Sequence, residues 1–368
     1  MSRFDFALAG PADDAQLRAR MAADVMQGAI AVSFRREPSY FAGCRLQGDA
    51  TQVVKCTDRA TGRIVGLGSR STSLEFVDGC AERIGYLSDL RLAPELRSGT
   101  LLARGYRVLR RMHATDPVRI YTTVIYEGNE PAKQALVGGR GGLPVYVDWG
   151  RLLTPALRLD FAARGERVAG VTLERGSAAR LPEIVEFLNR ERSAKQFAPV
   201  VDAAQFGDAR FCGLRPESFF LALRGGRIVG TLAAWDQTEL RQTHVERYPL
   251  LLQLLRPAYN ALAALSPLKP LPAPGARIPY VYLACAATEG NDATLFRFLL
   301  RAAHEALRRG PWSFAIAALH EADPLADVLG ELRSIPAAGR LYVVHYPESP
   351  LAIDPPARRV PCVEGGCL

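Results

Sequence analysis

Ile84-Gly85-Tyr86-Leu87-Ser88-Asp89-Leu90-Arg91-Leu92-Ala93-Pro94-Glu95-Leu96-Arg97-Ser98-Gly99-Thr100-Leu101-Leu102 is the stretch that decides the fold. Tyr86, Leu90 and Leu92 fall on alternate positions, the period of a β-strand, and Pro94 stops the strand because proline cannot donate to a ladder. Arg97-Ser98-Gly99-Thr100 then forms a short polar turn, after which Leu101 to Arg111 takes up a 3.6-residue period. A strand, a turn and a helix are therefore expected in succession. The first-turn N–H groups of such a helix have no intrahelical partner, its dipole end is positive, and Arg97 adds a full charge. Such a turn suits a phosphate or pyrophosphate.

Outward from this stretch the pattern stays mixed. Phe4 to Leu8 alternates as a strand, Pro11-Ala12-Asp13-Asp14 opens a helix leading to Met26, and a second helix is expected around Phe34 to Phe41. Thr51 to Asp58 and Arg63 to Phe76 read as a hairpin around the turn Asp58 to Gly62. Downstream, Arg119 to Ile125 is a β-branched strand, and Asn129-Glu130-Pro131 caps a short helix that runs to Val137. The glycines at 138, 139, 141 and 142 break it before a strand at Val145 to Val147.

A repeat gives the chain its larger plan. Gly62-Arg63-Ile64-Val65-Gly66 recurs as Gly226-Arg227-Ile228-Val229-Gly230. Around the second copy, Val168 to Leu173, a helix from Ala179 to Asn189, Ile278 to Ala286, Asp292 to Arg308, Ser313 to Leu319 and a short helix ending near Leu329 keep the order of the first. The copies differ in two places. The second has Thr288-Glu289-Gly290-Asn291-Asp292 where the first has its phosphate turn, and two acids there would repel a pyrophosphate. It also carries an insertion with an apolar-periodic helix from Leu250 to Leu265 and a stiff Pro-rich loop from Pro267 to Pro274. Three units are expected: 1–160, 161–348, and a Pro-rich tail 349–368 that wraps or frays.

Composition narrows the function. At 48% hydrophobic and 23% charged the chain is a soluble globular one, and no apolar run is long enough to span a bilayer. Without an apolar leader at its start, it is expected in the cytoplasm. The net charge of +8 is dispersed over isolated Arg pairs, which argues against nucleic acid while favouring anionic small ligands. Seven scattered cysteines show no Cys-x-x-Cys and no metal spacing, so no metal is expected and a reducing compartment is.

Strand, Leu92-x-Pro94-x-x-Arg97-x-Gly99 and helix, embedded in the order β-α-α-β-β-β-α-β-α-β over about 150 residues, resemble the acyl-CoA motif of the GCN5-related N-acetyltransferases. The resemblance implies an α/β fold of two tandem domains with mixed sheets, the second a degenerate copy. It implies an acyl-CoA, acetyl-CoA by preference, as substrate, and a small-molecule or peptide amine as acceptor. Its oxyanion contact maps to the backbone of Leu90, Arg91 and Leu92, its pyrophosphate turn to Arg97, Ser98, Gly99, Thr100 and Leu101, and its pantetheine contact to Asn129. Asp89 is the expected base. Leu136 stands where the family has a Tyr acid, so Tyr126 or Tyr121 could replace it, or the thiolate could leave unassisted; Leu102 stands where a small residue usually lets the backbone approach the phosphates. Trp235-Asp236-Gln237 with Arg241-Gln242 could line an acceptor pocket, and His320 ends the strand that matches Tyr126. Transfer of a long acyl chain or an aminoacyl group, and ligand binding without catalysis, are the competing readings. The chain is expected as a monomer or homodimer.

Overall fold

The computed structural model describes residues 2–97, 100–138, 142–207, 209–348 and 351–368. In the first half the main strands are β1 (Phe4–Leu8), β2 (Ala50–Asp58), β3 (Arg63–Val77), β4 (Cys80–Leu92), β5 (Tyr121–Tyr126) and β6 (Val145–Leu153), beside the short strands Val25–Met26, Ala31–Arg35 and Ala156–Arg158. Its helices are α1 (Asp14–Ala22), α2 (Tyr40–Cys44), α3 (Leu101–Thr115) and α4 (Glu130–Leu136). The second half supplies β7 (Val171–Arg175), β8 (Phe219–Arg224), β9 (Arg227–Trp235), β10 (Tyr280–Thr288), β11 (Phe314–Ala317) and β12 (Ala338–His345), with α5 (Leu181–Arg192), α6 (Leu250–Ala263), α7 (Ala293–Arg308) and α8 (Ala326–Leu329).

Two mixed sheets result, as the α/β reading requires. The first runs β1-β2-β3-β4-β5-β12-β6 and ends on Leu319–His320; the second runs β7-β8-β9-β10-β11 and ends on Ala156–Arg158 and Ser334–Ile335. The repeat is visible in this arrangement, since β3 and β9 each follow a hairpin turn and each pairs antiparallel with the strand before and the strand after. α7 shows how the patterning builds the layers. Asp292 caps it by accepting from Thr294 N and Leu295 N, and Leu295, Leu299, Ala303 and Leu307 recur on one face and are buried against the second sheet.

The halves are interlocked. β12, far down the chain, lies between β5 and β6 of the first sheet, while Ala156–Arg158 from the first half pairs with β11. The boundary expected at 160/161 is thus crossed by a strand in each direction. The helix expected over Phe34 to Phe41 is corrected for the same reason. Ala31–Arg35 is a strand held extended by Gln242–Arg247 of the second half, and the helix begins only at Tyr40, with Ser39 as its N-cap. Local periodicity carries no trace of a partner strand two hundred residues away.

The tail is ordered where it is described. Cys362 N donates to Gln196 O and Gln196 N to Val360 O, and Gly366 and Cys367 are buried. Ser349 and Pro350 lie outside the described residues.

Candidate active site

β4 lies antiparallel to β3 until the register slips: Leu67 faces Arg91, but Ser69 faces Ser88, so an extra residue sits on β4. Asp89 takes up that slack with φ 54°, a left-handed conformation uncommon for a residue with a side chain. On its other side β4 pairs with β5 only at Gly85 and Tyr86, and Thr123 Oγ1 reaches across to Leu87 O at 2.8 Å. Beyond that point the parallel strands separate, since β5 goes on pairing with β12 while β4 goes on pairing with β3. The backbone from Ser88 to Leu92 therefore has no strand partner on the β5 side. Free N–H groups at a strand divergence can receive a thioester oxygen or pantetheine amides.

The second half repeats this geometry. β9 and β10 slip register between Thr231 and Ala233, and Cys285 has φ 52° at the place of Asp89. There the tail fills the apex: Glu364 Oε2 accepts from Cys285 N at 2.9 Å and from Arg192 Nη2 at 2.8 Å, and Gly365 abuts Ala318 just past β11. The second opening is thus occupied by the protein's own chain.

At the mouth of the first opening, α3 begins at Leu101, with Thr100 as its N-cap residue and no side-chain cap. Arg97 donates from Nε to Leu92 O at 3.2 Å, and its guanidinium stands 3.6 Å from Asp24. Arg91 stands at the same distance from the other Asp24 oxygen and donates to Leu90 O. These pairs are too long for hydrogen bonds, so two cations lie beside the helix start with unused donors. Ser98 and Gly99, expected in the turn, lie outside the described residues. Leu101 is buried and Leu90 is exposed. Asn129 accepts from Ala132 N at 3.2 Å, so its side chain caps α4. Leu136 is a core residue beside Tyr106 and Tyr342.

The expected acid–base pair is not brought together. Asp89 Oδ2 is 2.5 Å from the buried Arg36 guanidinium and accepts from Tyr40 Oη at 3.0 Å; Tyr40 also bonds Ser69. Burial pushes the Tyr40 hydroxyl well above its ordinary range, and the Asp89 charge pushes it further. Tyr126 ends β5 at 45% exposure and takes no part in this cluster. Tyr121 is committed elsewhere, to Arg70 and His113. His320 is structural: Nε2 donates to Trp149 O and Nδ1 accepts from Ala322 N.

A second carboxylate borders the apex. Ser69, Ser71, Ser73 and Glu75 occupy alternate positions of β3 and are all buried, so the inner face of this strand is polar. Glu75 Oε1 accepts from Ser73 Oγ and pairs with Arg210 at 2.7 Å. Glu75 Oε2, Gln47 Oε1 and Arg210 Nε and Nη1 are buried without partners. They border a cavity of about 20 Å³, shared with Gly85, Tyr86 and Thr122 at the β4/β5 apex and with Cys367 and Leu368 of the tail. Burial raises the Glu75 carboxyl above the usual carboxylate range, even against Arg210. The signal for Glu75 in the sequence is the period-two polar set ending on a charge. Arg36 and Arg210 give none. Of the residues expected around an acceptor, Gln237 and Arg241 donate to Gly366 O, and Arg241 also to Leu368 O, so they clamp the tail beside this cavity.

No protein-family model and no curated protein matches the sequence. Solved structures do match, through the whole arrangement of two sheets. Saccharomyces cerevisiae N-myristoyltransferase with bound myristoyl-CoA superposes with a TM-score of 0.60 at 12% identity, over 94% of this chain and 80% of that one. A GCN5-related N-acetyltransferase from Sphaerobacter thermophilus matches over 94% of this chain and 97% of its own, with a TM-score of 0.55 and 12% identity. The chain has the fold of the GCN5-related N-acetyltransferases. A further match to this fold is the glucosamine N-acetyltransferase region of a fungal multi-domain β-N-acetylglucosaminidase, with a TM-score of 0.63 and 11% identity over 93% of this chain and 38% of that one. Within the GCN5-related fold, the divergence of β4 from β5 is the feature around which both halves of this chain are built.

Proposed function

We propose that the protein transfers an acyl group from an acyl-CoA to a primary amine, with the donor held in the first half. The observation that supports this most directly is the contrast between two equivalent strand openings. The first lies beside a helix start with Arg91 and Arg97, and the second is plugged by Glu364. In this reading residues 1–160 carry the donor, 161–348 close the acceptor side, and 349–368 roof the cavity at the apex.

The chemistry asks little of the side chains. The amine nitrogen attacks the thioester carbon, the carbonyl oxygen becomes an oxyanion facing the unpaired β4 backbone at Leu90 to Leu92, the carbon–sulfur bond breaks, and the thiolate leaves with a proton. The ammonium must first lose a proton. Asp89 sits at the bulge beside the unpaired β4 backbone, held by Arg36 and Tyr40, and is the carboxylate within reach of it; Glu75 lies opposite Glu82, about 26 Å along β3 from the partner of Arg91. Asp89 is therefore assigned the base, acting directly or through water, and Glu75 the pairing with Arg210. Arg91, Arg97, Thr100 and Leu101 frame the pyrophosphate; Tyr126 is an exposed candidate to protonate the thiolate.

Calorimetric titration with acetyl-CoA and myristoyl-CoA, followed by thiol release with a panel of amines, tests the reading. Binding of acetyl-CoA that weakens in Arg97→Ala and turnover with at least one amine are expected. No binding of either thioester would remove the proposal. Binding without turnover would favour a ligand-binding role, and selective use of myristoyl-CoA would favour the long-chain reading.

A further inference from the structure

The insertion that separates the two halves' patterns presents an apolar surface to solvent. At 100° per residue, Leu250, Leu251, Leu254, Leu255 and Leu262 of α6 fall within an arc of about 140°. All five are exposed, between 53% and 75%, and Leu265 just beyond the helix is 89% exposed. The opposite side faces the protein: Ala263 is buried, and Leu252 and Tyr259 are half-buried. This orientation is fixed by specific bonds. Asn260 donates from its side chain to Leu271 O and accepts from Leu271 N, Tyr248 donates to Pro272 O, and Lys269 Nζ donates to Arg308 O and Gly310 O at the end of α7. The helix cannot roll its leucines inward without breaking that set.

Charge identifies what covers the face. From Arg247 to Thr288 the sequence has no Asp or Glu, while Arg247, Arg256, Lys269 and Arg277 are positive, and Arg247 and Arg277 are exposed. The exposed leucines of this face present roughly 700 Å² of accessible surface, below the roughly 800 Å² per partner of a stable interface, so a second copy would need a further contact. No helix of the described residues is long and apolar enough to cross a membrane. An apolar strip of this size beside unopposed cations matches a helix lying in the headgroup boundary of a bilayer. We infer that α6 docks the protein on an anionic lipid surface, with its leucine face at the acyl boundary and Arg247 and Arg277 against the headgroups.

The test is co-sedimentation of the full chain with phosphatidylcholine vesicles, with and without phosphatidylglycerol. Wild type should bind the anionic vesicles, and added salt should weaken binding. Leu251→Glu with Leu255→Glu should lower it by roughly tenfold or more, with an unchanged melting temperature because both side chains are exposed. Arg247→Gln with Arg277→Gln should lower it severalfold. Absence of vesicle binding, equal binding to both vesicle types, or binding unaffected by the leucine substitutions would overturn the inference. So would a concentration-dependent dimer dissolved by the same leucine substitutions, which would assign the face to a second copy.

Discussion

Asp24 stands between the two arginines that a pyrophosphate would use, 3.6 Å from each, and is also paired with Arg20. It competes with any anion bound there. Asp24→Asn should therefore tighten acetyl-CoA binding by a few fold, and Arg97→Ala should weaken it by roughly tenfold, both read by calorimetry at low salt. The two apical carboxylates separate by a different measurement. Asp89→Asn should abolish the acidic limb of the pH–rate profile, which is set by the proton on the base, whereas Glu75→Gln should leave the shape of the profile unchanged. Asp89→Asn should also lower thermal stability, since the buried Arg36 loses its counter-charge at a cost of about 3–5 kcal/mol. Asp14 supplies a pH dependence of another kind. Burial alone would raise its carboxyl, but bonds from Ser39, Arg18 and the N–H groups of Phe41 and Tyr40 outweigh this and hold it below the usual range. A lowered carboxyl stabilises the native state at pH values above its unfolded range, and that contribution is lost as pH falls through the native value. The melting temperature should drop below about pH 4, and less steeply in Asp14→Asn.

Among the elements, β4 and its turn were legible because each local rule points the same way: alternation through Leu92, a stop at Pro94, and a 3.6-residue period after Thr100. The repeat was legible as five identical residues. What periodicity could not show is the bulge, because an extra residue in a strand alters pairing without altering composition. The Asp89–Arg36 bond was hidden for a similar reason, since α2 is placed by Ser39 and by a cross-half strand and not by its own pattern. Gly85 marks the point where β4 and β5 still touch, and a Cβ added there would overlap the Tyr121 ring. Gly85→Ala should therefore cost about 1–3 kcal/mol by thermal unfolding. It should also reduce acyl-CoA binding, as the apex is forced apart.

At the scale of the whole molecule, each sheet is completed by chain from the other half, and Ala31–Arg35 with Gln242–Arg247 adds a third junction. A buried ion pair crosses the same surface, Arg210 with Glu75, while Arg192 with Glu364 ties the second half to the tail. Calorimetry of the full chain should show one heat-absorption peak, where independent halves would give two. Residues 1–160 expressed alone should lack a cooperative transition, because β5 and β6 would be left as unpaired edges. The tandem plan was readable from the order of elements; the exchange of strands was not, because β12 is apolar and β-branched in a way that suits either sheet.

The seat of β12 also sets a timetable. On a ribosome, β5 and β6 emerge some two hundred residues before the strand that must slide between them. During that interval the nascent first sheet has a gap between β5 and β6, lined by unsatisfied main-chain groups, and the surface proposed to receive the donor cannot yet be rigid. Under the proposed function, competence for the reaction would be acquired late and all at once, when Leu341, Val343 and Val344 reach the core.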